Sequence, residues 1–377
     1  MRDMRRTGGY PHLGAVMGHH RHVQPGADDY EYRGAPPPEL RGAPDPPPAP
    51  RDAHTAARRT ARRRRRRVWA WLAVLFLLPF SVPLIFRGLA LDGPSPVPQM
   101  LAFLPWFLAP AWLGLVAAVL ARRVLPVVWA VAVLVATGWF LQPYGPDAPA
   151  GASEPPGNRF RVLTANLHHG DALPALRELL RDERPQLVAV QECDPACAAA
   201  LRADEVRDLY PHRVIVEGGS AEGSALLSAY PLRSTPPVPG MLAMPGAVVD
   251  VGDRSLRFQL AHPMPPLLET IGPWERELGR LADFADERAG EPLVVAGDFN
   301  ATQDHAAFRA VLDAGLGDVA RLEGRSRTPT WPTQTAPPLG AQIDHVLVSD
   351  DFDTHGVTFF DLPGSDHRAV LADIALR

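Results

Sequence analysis

The sequence predicts an α+β domain of packed sheets that is preceded by three transmembrane helices. Three apolar stretches of about 20 residues each lie between residues 68 and 141, and such stretches can span a bilayer. From residue 159 onward, strand patterns alternate with a few amphipathic helix patterns, which is typical of an α+β domain. The charge also divides, because residues 1–150 hold 18 Arg against 9 acidic residues and residues 151–377 hold 20 Arg against 33.

The net charges of these two parts are therefore +9 and −13. An acidic C-terminal part argues against a long polyanion as its main ligand, because affinity for phosphate backbones comes mostly from Lys and Arg. The same acidic composition suits a domain that binds divalent cations.

The first 67 residues are rich in Arg, Pro and Gly, and we predict that they form a disordered cytoplasmic tail. The tail ends in an Arg run, residues 62–67, that directly precedes the first apolar stretch. Such a run could bind nucleic acid or anionic lipid, but its position favours a role in membrane topology.

The three predicted spans are residues 68–86, 100–121 and 124–141. Arginines precede the first span, and Arg122 and Arg123 separate the second from the third, so these ends are predicted to be cytoplasmic. The C-terminal domain then lies outside the cytoplasm of a multi-pass plasma-membrane protein. A signal peptide is disfavoured because no small-residue cleavage site follows the first stretch, and buried core helices rarely reach this length.

A Pro- and Gly-rich linker, residues 143–158, leads to the domain at residues 159–377. Its predicted strands are residues 160–164, 187–191, 212–216, 225–229, 247–251, 256–261, 293–296, 343–348, 357–361 and 369–375. Its predicted helices are residues 172–181, 274–288 and 304–316.

Two cysteines, Cys193 and Cys197, follow a predicted strand of the exported domain. An oxidising exterior permits a disulfide between them, but the bridge would be strained if both residues were helical at this spacing. A disulfide and two buried thiols are therefore equally compatible with the sequence.

Polar side chains recur where the predicted strands of this domain end or begin. Taken one at a time, each has a structural alternative: Glu192 could form a salt bridge, His262 could be a hydrogen-bonded core histidine, and Asp298 could close an Asx turn. Their accumulation in one domain indicates a site. The candidate residues are Asn166, Glu192, His262, Asp298, Asn300, Asp344, Asp366 and His367.

These residues occur in six motifs that resemble, in order, those of the endonuclease/exonuclease/phosphatase superfamily with the DNase I-like fold. The motifs are Asn166-Leu167, Gln191-Glu192, His262 after a strand, Gly297-Asp298-Phe299-Asn300-Ala301, Ile343-Asp344 and Ser365-Asp366-His367. The resemblance covers about residues 159–377. It implies a four-layer α/β sandwich that hydrolyses a phosphodiester, phosphomonoester or pyrophosphate with Mg²⁺ or Mn²⁺.

The resemblance also implies a role for each residue. Glu192 is the principal metal ligand, with Asn166 and Asp366 close to the cation. Asp298 orients or deprotonates the attacking water, while Asn300 hydrogen-bonds a phosphoryl oxygen. His367 pairs with Asp344 and binds the same phosphate. His262 assists the leaving group or the phosphoryl oxygen.

Two features bear on the substrate. Cys193-Asp194-Pro195 replaces the residues that approach DNA in nucleases of the superfamily, so nucleic acid is a less favoured partner. Three spans, an Arg-rich tail and an exported domain together resemble the VanJ type of bacterial membrane protein, associated with teicoplanin resistance. That resemblance implies a lipid-linked phosphate or pyrophosphate of cell-wall synthesis as substrate.

Two alternatives stay open, a tethered extracellular nuclease and a catalytically silent binding domain. The sequence also leaves open the substrate head group, the preferred metal, the oligomeric state and the role of the tail. Trp331 either lines the pocket or packs under a loop.

Overall fold

The structure, a computed structural model, describes residues 51–147, 159–335 and 339–377. Most of the predicted tail and linker residues 148–158 lie outside the described residues. The described residues from Ala56 to Arg377 belong to one compact unit.

The N-terminal part is helical. It consists of α1 (Arg51–Gly88), α2 (Val97–Leu101), a 3₁₀ helix (Leu104–Phe107), α3 (Leu108–Ala121) and α4 (Val124–Phe140). The predicted tail therefore differs from the structure in residues 51–67, which are helical rather than disordered. Ala and Arg dominate this stretch, and both have high helix propensity.

Two helical stretches, His54–Gly88 and Leu104–Ala121, are long and apolar enough to cross a membrane. The third apolar helix, Val124–Phe140, is shorter, so the prediction of three transmembrane helices is not confirmed. The second predicted span also differs in shape, because residues 100–107 form separate short helices before α3 begins. Pro105 lies in the first turn of the 3₁₀ helix, where the missing N–H of proline is tolerated, so a new helix can begin here after α2 ends at Leu101.

The C-terminal domain contains two six-stranded sheets, as the α+β prediction requires. The first sheet has the order β11 (Phe352–Asp361), β12 (Arg368–Leu376), β1 (Arg159–Asn166), β2 (Leu187–Gln191), β4 (Ser224–Ser228) and β3 (His212–Val216). The second has the order β5 (Leu232–Val238), β6 (Met244–Val251), β7 (Arg254–Ala261), β8 (Leu293–Asp298), β10 (Asp344–Val348) and β9 (Gly317–Asp318).

The sheets pack face to face, and helices cover their outer faces. Along β1, Val162 faces the core between the sheets, whereas Leu163 faces the helices, because successive side chains of a strand alternate. The helices are α5 (Leu173–Glu183), α6 (Pro195–Leu201) and α7 (Asp204–Leu209) on the first sheet, and α8 (Ile271–Asp286) and α9 (Ala306–Asp313) on the second; a short α10 (Val319–Leu322) follows β9. The domain is thus a four-layer α/β sandwich.

The strand pairing brings several strand ends to one edge of the sandwich. Strands β1 and β2 are parallel and end opposite each other, at Asn166 and Gln191. Strands β7 and β8 are also parallel, and β10 begins antiparallel to β8 with Asp344 opposite Asp298. Residues at these ends are therefore close in space although they are far apart in sequence.

Two of the described strands, β5 and the two-residue β9, were not predicted from the sequence. Strand β5 carries Pro236 and Pro237, which weaken a strand pattern. It lies at the edge of the second sheet, where prolines are tolerated because no neighbour requires their N–H groups.

Cys193 and Cys197 form a disulfide with a Cα–Cα distance of 5.2 Å. Asp194 is the N-cap of α6 and accepts a hydrogen bond from the backbone N–H of Cys197. Cys193 therefore lies outside the helix, which removes the strain expected for two helical cysteines at this spacing.

The segment between α1 and α3 packs against the C-terminal domain. The carboxylate of Asp92 accepts hydrogen bonds from the first backbone N–H groups of α9, at Ala306 (2.6 Å) and Ala307 (2.9 Å). The carbonyl of Pro98 lies 2.8 Å from Nε2 of His305. The sequence predicted a connecting loop here but not its attachment to the domain.

Gly297 is expected to tolerate no side chain. A Cβ atom at this position would lie 1.8 Å from the carbonyl oxygen of Ala261 on the adjacent strand. We expect Gly297→Ala to lower the free energy of unfolding by about 3 kcal/mol, because backbone atoms cannot yield as a flexible side chain can.

The matched control is Gly279→Ala on α8, where a Cβ would meet no atom within 4 Å. This variant should gain up to about 1 kcal/mol, because alanine has the higher helix propensity. Both are measured by denaturant unfolding of the full chain in detergent, and equal midpoints for the two variants would contradict the prediction.

Candidate active site

The predicted site residues lie together at the edge where the strand ends meet. The first sheet supplies Asn166 at the end of β1 and Glu192 after β2. The second sheet supplies His262 after β7, Asp298 and Asn300 around the end of β8, and Asp344 at the start of β10. The loop before β12 supplies the last two, Asp366 and His367.

The amide of Asn166 connects the two sheets. Its Nδ2 donates to Oε1 of Glu192 (3.0 Å) and to Oδ2 of Asp298 (3.1 Å). Its Oδ1 accepts from the backbone N–H of His168 (2.9 Å), and the side chain is buried. One amide thus fixes two carboxylates that belong to different sheets.

Glu192 is held in an uncommon backbone conformation. Its φ is +54°, in the left-handed region that costs energy for residues other than glycine. Its Oε2 accepts from the backbone N–H of His169 (2.9 Å) and lies 3.2 Å from Nδ1 of that ring. His168 and His169 were not predicted as site neighbours, although they directly follow the Asn166-Leu167 motif.

Asp298 closes a turn and belongs to the site at the same time. Its Oδ1 accepts from the backbone N–H of Asn300 (2.8 Å), which is the Asx turn that the sequence suggested as an alternative. Asn300 has φ of +48° and donates from Nδ2 to the carbonyl of Pro263 (3.0 Å). Burial raises the pKa of Asp298 to about 7, although the charge of His367 opposes this rise.

His367 lies between carboxylates. Its Nδ1 is 2.9 Å from Oδ2 of Asp344, and its Nε2 is 3.8 Å from Oδ2 of Asp298 and 3.9 Å from Oδ1 of Asp366. Burial alone would lower the pKa of His367, but the charges of Asp344 and Asp298 more than offset this and raise the pKa to about 10. The ring is therefore an imidazolium with an N–H on each nitrogen, of which Nδ1–H is hydrogen-bonded to Asp344.

His262 has the opposite charge state. Burial, together with the positive charge of His367, lowers the pKa of His262 to about 3, so the ring is neutral at any working pH. Its buried Nδ1 has no hydrogen-bond partner among the described residues, which does not fit the alternative of a satisfied core histidine. A neutral ring can assist a substrate by hydrogen bonding but is not an acid.

Asp366 accepts a hydrogen bond from Trp331. The indole Nε1 donates to Oδ2 of Asp366 (2.9 Å), and the ring of Phe103 lies 6.2 Å from the Trp331 ring. Trp331 therefore contacts a predicted site residue directly. The loop that carries Asp366 is also held by Ser365, whose hydroxyl donates to the carbonyl of Asn166 (2.8 Å).

Two sets of side chains bear on metal binding. Asp298, Asp344 and His367 form a buried group whose ligand atoms all lie within 4.8 Å of one another, so this group could hold a metal ion. Oδ1 of Asp344 is buried and receives no hydrogen bond from a described residue. However, a protonated His367 has no lone pair to offer a metal ion, and its single positive charge offsets only one of the two carboxylates.

The alternative set is Asn166, Glu192 and Asp366, in which the carboxylates offer oxygens while Asn166 turns its Nδ2 to Glu192 and its Oδ1 to the N–H of His168. Hard divalent cations prefer such oxygen ligands. The structure joins Asn166 directly to Glu192, and Asp366 lies beside His168 of the adjoining loop, with 4.0 Å between Nδ1 and Oδ1. The donor chemistry of this set fits a divalent cation of the Mg²⁺ or Mn²⁺ type.

A sequence model of the Endonuclease/Exonuclease/phosphatase family matches residues 163–367, more than half of the chain. The chain belongs to this family. Members of the family are phosphoester hydrolases that depend on a divalent metal, and the matched residues span all eight site residues.

Solved structures that are similar to this chain include the following three. A humanized TDP2 of D. rerio is 15% identical, with 58% of this chain and 99% of that chain covered and a TM-score of 0.49. The 3′ phosphatase NExo from Neisseria, bound to a product DNA hairpin, is 21% identical, with 56% and 98% covered and a TM-score of 0.47.

An endonuclease/exonuclease/phosphatase from Beutenbergia cavernae is 23% identical, with 58% and 72% covered and a TM-score of 0.46. Because the sequence identities and TM-scores are this low, these similarities carry no information about the substrate or the mechanism. A comparison with curated proteins finds no match.

His345, which follows Asp344, braces the loop after Asn300 and was not singled out from the sequence. Its Nδ1 lies 2.9 Å from Oδ2 of Asp318, and its Nε2 lies 3.0 Å from the carbonyl of Ala301. Burial would lower the pKa of His345, but the charge of Asp318 and these hydrogen bonds raise it above the ordinary value.

A raised pKa means that this ion pair stabilises the fold below the unfolded pKa of His345, about 6.5, and that the gain is lost as pH rises through the folded pKa. We therefore expect Asp318→Asn to lower the free energy of unfolding more at about pH 6 than at about pH 9. Urea unfolding at both pH values tests this. A loss that does not depend on pH would mean that His345 is neutral.

Proposed function

We propose that the chain is a membrane-anchored, metal-dependent hydrolase of a phosphate ester or pyrophosphate, and that it acts outside the cytoplasm on a lipid-linked substrate. The observation that carries the hydrolase assignment is the continuous contact from Glu192 through Asn166 to Asp298. This contact joins a predicted metal ligand to a predicted base across two sheets.

The proposed cation is Mg²⁺ or Mn²⁺, held by Glu192, Asn166 and Asp366. When bound, it would neutralise the negative charge that gathers on a phosphoryl group under attack. The left-handed backbone of Glu192 is consistent with a constrained functional residue, because such strain persists only where the surroundings enforce it.

Side chains of the protein would carry out the proton transfer and position the phosphoryl group. Asp298, with its raised pKa, would accept a proton from the water whose oxygen attacks phosphorus while the bond to the leaving group breaks. His367 would donate from Nε2 to a phosphoryl oxygen, since Asp344 holds its other nitrogen. Asn300 would use its second Nδ2 hydrogen, and neutral His262 a hydrogen bond, to position the same group.

Membrane anchoring is supported by the two long apolar helices, and the proposal includes α4 as a third span. At about 1.5 Å per residue, its 17 residues extend about 25 Å, close to the shortest spans observed. Arg122 and Arg123 between α3 and α4 would lie with the Arg-rich start of α1 on the cytoplasmic side. The other end of α4 contacts the domain, since Arg327 donates to the carbonyl of Phe140 (2.8 Å).

A lipid-linked substrate is supported by the position of the segment between α1 and α3. Phe103 of this segment packs near Trp331, and Trp331 bonds Asp366 of the site. A site next to the end of a membrane helix could reach a phosphate that stays at the bilayer surface. Undecaprenyl pyrophosphate species are the substrates proposed, with a role in glycopeptide-antibiotic resistance of the VanJ type.

The test uses the full chain in lipid nanodiscs. Phosphate release from a polyprenyl pyrophosphate is measured with Mg²⁺, Mn²⁺ or EDTA, beside cleavage of single- and double-stranded DNA, and Glu192→Gln serves as the inactive control. Metal-dependent release with intact DNA is the expected result. Cut DNA with the lipid untouched would establish the tethered nuclease instead, and no hydrolysis of either would favour a catalytically silent domain.

A further inference from the structure

Large apolar side chains are exposed at one place on the catalytic domain. Among described residues 159–335 and 339–377, the three most exposed are Leu268 (78%), Met241 (63%) and Leu267 (58%). The next two, Leu339 and Val216, are only 37% and 36% exposed. We name Met241, Leu267 and Leu268 the apolar rim.

One buried carboxylate holds the two loops of the apolar rim together. Glu277 on α8 accepts the backbone N–H of Met241 at Oε1 (2.8 Å) and that of Met264 at Oε2 (2.8 Å). Glu277 is itself buried. Because this buried carboxylate accepts a backbone N–H from each loop, it holds both loops in place. The apolar rim is therefore a fixed part of the fold.

The loop that carries the two leucines is fixed in a second way. The hydroxyl of Thr270 donates to the carbonyl of Pro265 (2.6 Å) and accepts from the N–H of Leu267 (3.2 Å). The carbonyl of Leu267 in turn accepts from the N–H of Ile271 at the start of α8 (3.0 Å). These bonds fix the loop in a conformation that exposes both leucine side chains. Exposure of such large apolar side chains to water is unfavourable.

The apolar rim lies between the site and the membrane segment. On one side, Pro263 of the same loop accepts a hydrogen bond from Asn300. On the other, Gln99 of α2 donates to the carbonyl of Pro266. Because α2 lies between α1 and α3 in the chain, this loop contacts the segment that joins the two apolar helices.

We infer that the apolar rim inserts into the interfacial layer of the lipid bilayer and holds the mouth of the active site against it. The inference rests on the proposed membrane anchoring. The occupant is the bilayer, because the rim adjoins a chain segment that α1 and α3 fix at both ends and because both helices expose apolar side chains, such as Leu75 and Leu113. A lipid phosphate at this level would meet Asn300 without leaving the membrane.

The test measures the depth of three labelled positions in the full chain. Single cysteines at Leu268→Cys, Leu113→Cys and Asp253→Cys carry an environment-sensitive fluorophore, while the native cysteines are blocked by their disulfide. Leu113 is exposed on α3, and Asp253 is exposed in the β6–β7 turn, at the opposite end of β7 from His262. The protein is reconstituted in phosphatidylcholine–phosphatidylglycerol vesicles that contain lipids with a shallow spin-label quencher or, in parallel samples, with a deep one.

We expect the Leu268 label to be quenched several-fold more than the Asp253 label, with the Leu113 label also quenched by deeper spin-labelled lipids. A Leu268 label that is quenched no more than the Asp253 label, beside a quenched Leu113 label, would overturn the inference and leave the anchoring intact. An unquenched Leu113 label would overturn the anchoring and the inference together.

Discussion

Glu192→Gln is expected to lower phosphoester hydrolysis by more than about 100-fold without unfolding the protein, because even groups that only orient metal ligands cost about 10- to 100-fold. Glutamine keeps the size of the side chain and an oxygen for the Asn166 amide, but it loses the charge that a hard cation requires. It also presents an amide donor to the N–H of His169, where a carboxylate now accepts. Initial rates on bis(4-nitrophenyl) phosphate with Mg²⁺ measure the loss.

The matched control is Glu217→Gln, which removes an exposed carboxylate of the same domain that pairs with Arg202. This variant should keep full activity, since surface ion pairs contribute little. Manganese binding followed by electron paramagnetic resonance separates a binding defect from a catalytic one. Wild-type rates and wild-type Mn²⁺ affinity in Glu192→Gln would remove Glu192 from the proposed site.

Local patterns were sufficient to predict the sheets and the order of the site residues. Strand β2 spans Leu187–Gln191, as predicted, because it is a short run of apolar residues with a polar residue at its end. Asp298 and Asn300 could be identified because the strand before them is buried and the Gly297 motif breaks it abruptly. Such signals lie within a few residues of one another, so a single sequence contains them.

Contacts between distant residues could not be predicted in this way. The sequence around Asp92 predicts only a charge in an external loop, whereas its carboxylate caps a helix that begins 214 residues later. Trp331 stayed ambiguous because its partner, Asp366, lies 35 residues away and is reached only when both loops fold. The predicted second span begins too early, at residue 100, because a hydropathy pattern does not register that α2 ends at Leu101 and a new helix starts at Leu104.

Asp304→Ala is expected to destabilise the fold by about 3–5 kcal/mol, because it removes one partner of a buried ion pair and leaves its charged neighbours uncompensated. The carboxylate of Asp304 is fully buried and accepts from Nη1 (2.5 Å) and Nη2 (2.9 Å) of Arg327. Nε of Arg87, near the end of α1, lies 3.6 Å from the same carboxylate. Both guanidinium groups are largely buried.

The control is Asp373→Ala, which breaks the more exposed pair with Arg159 and should cost far less, because water screens exposed ion pairs. Denaturant unfolding of the full chain in detergent compares the two variants, and equal losses would mean that water already reaches Asp304. Arg327 also donates to the carbonyls of Phe140 and Leu141 at the end of α4, so this cluster joins the domain to two apolar helices. A domain cut at residue 159 would lose Arg87 and both carbonyls, and its activity would therefore understate that of the full chain.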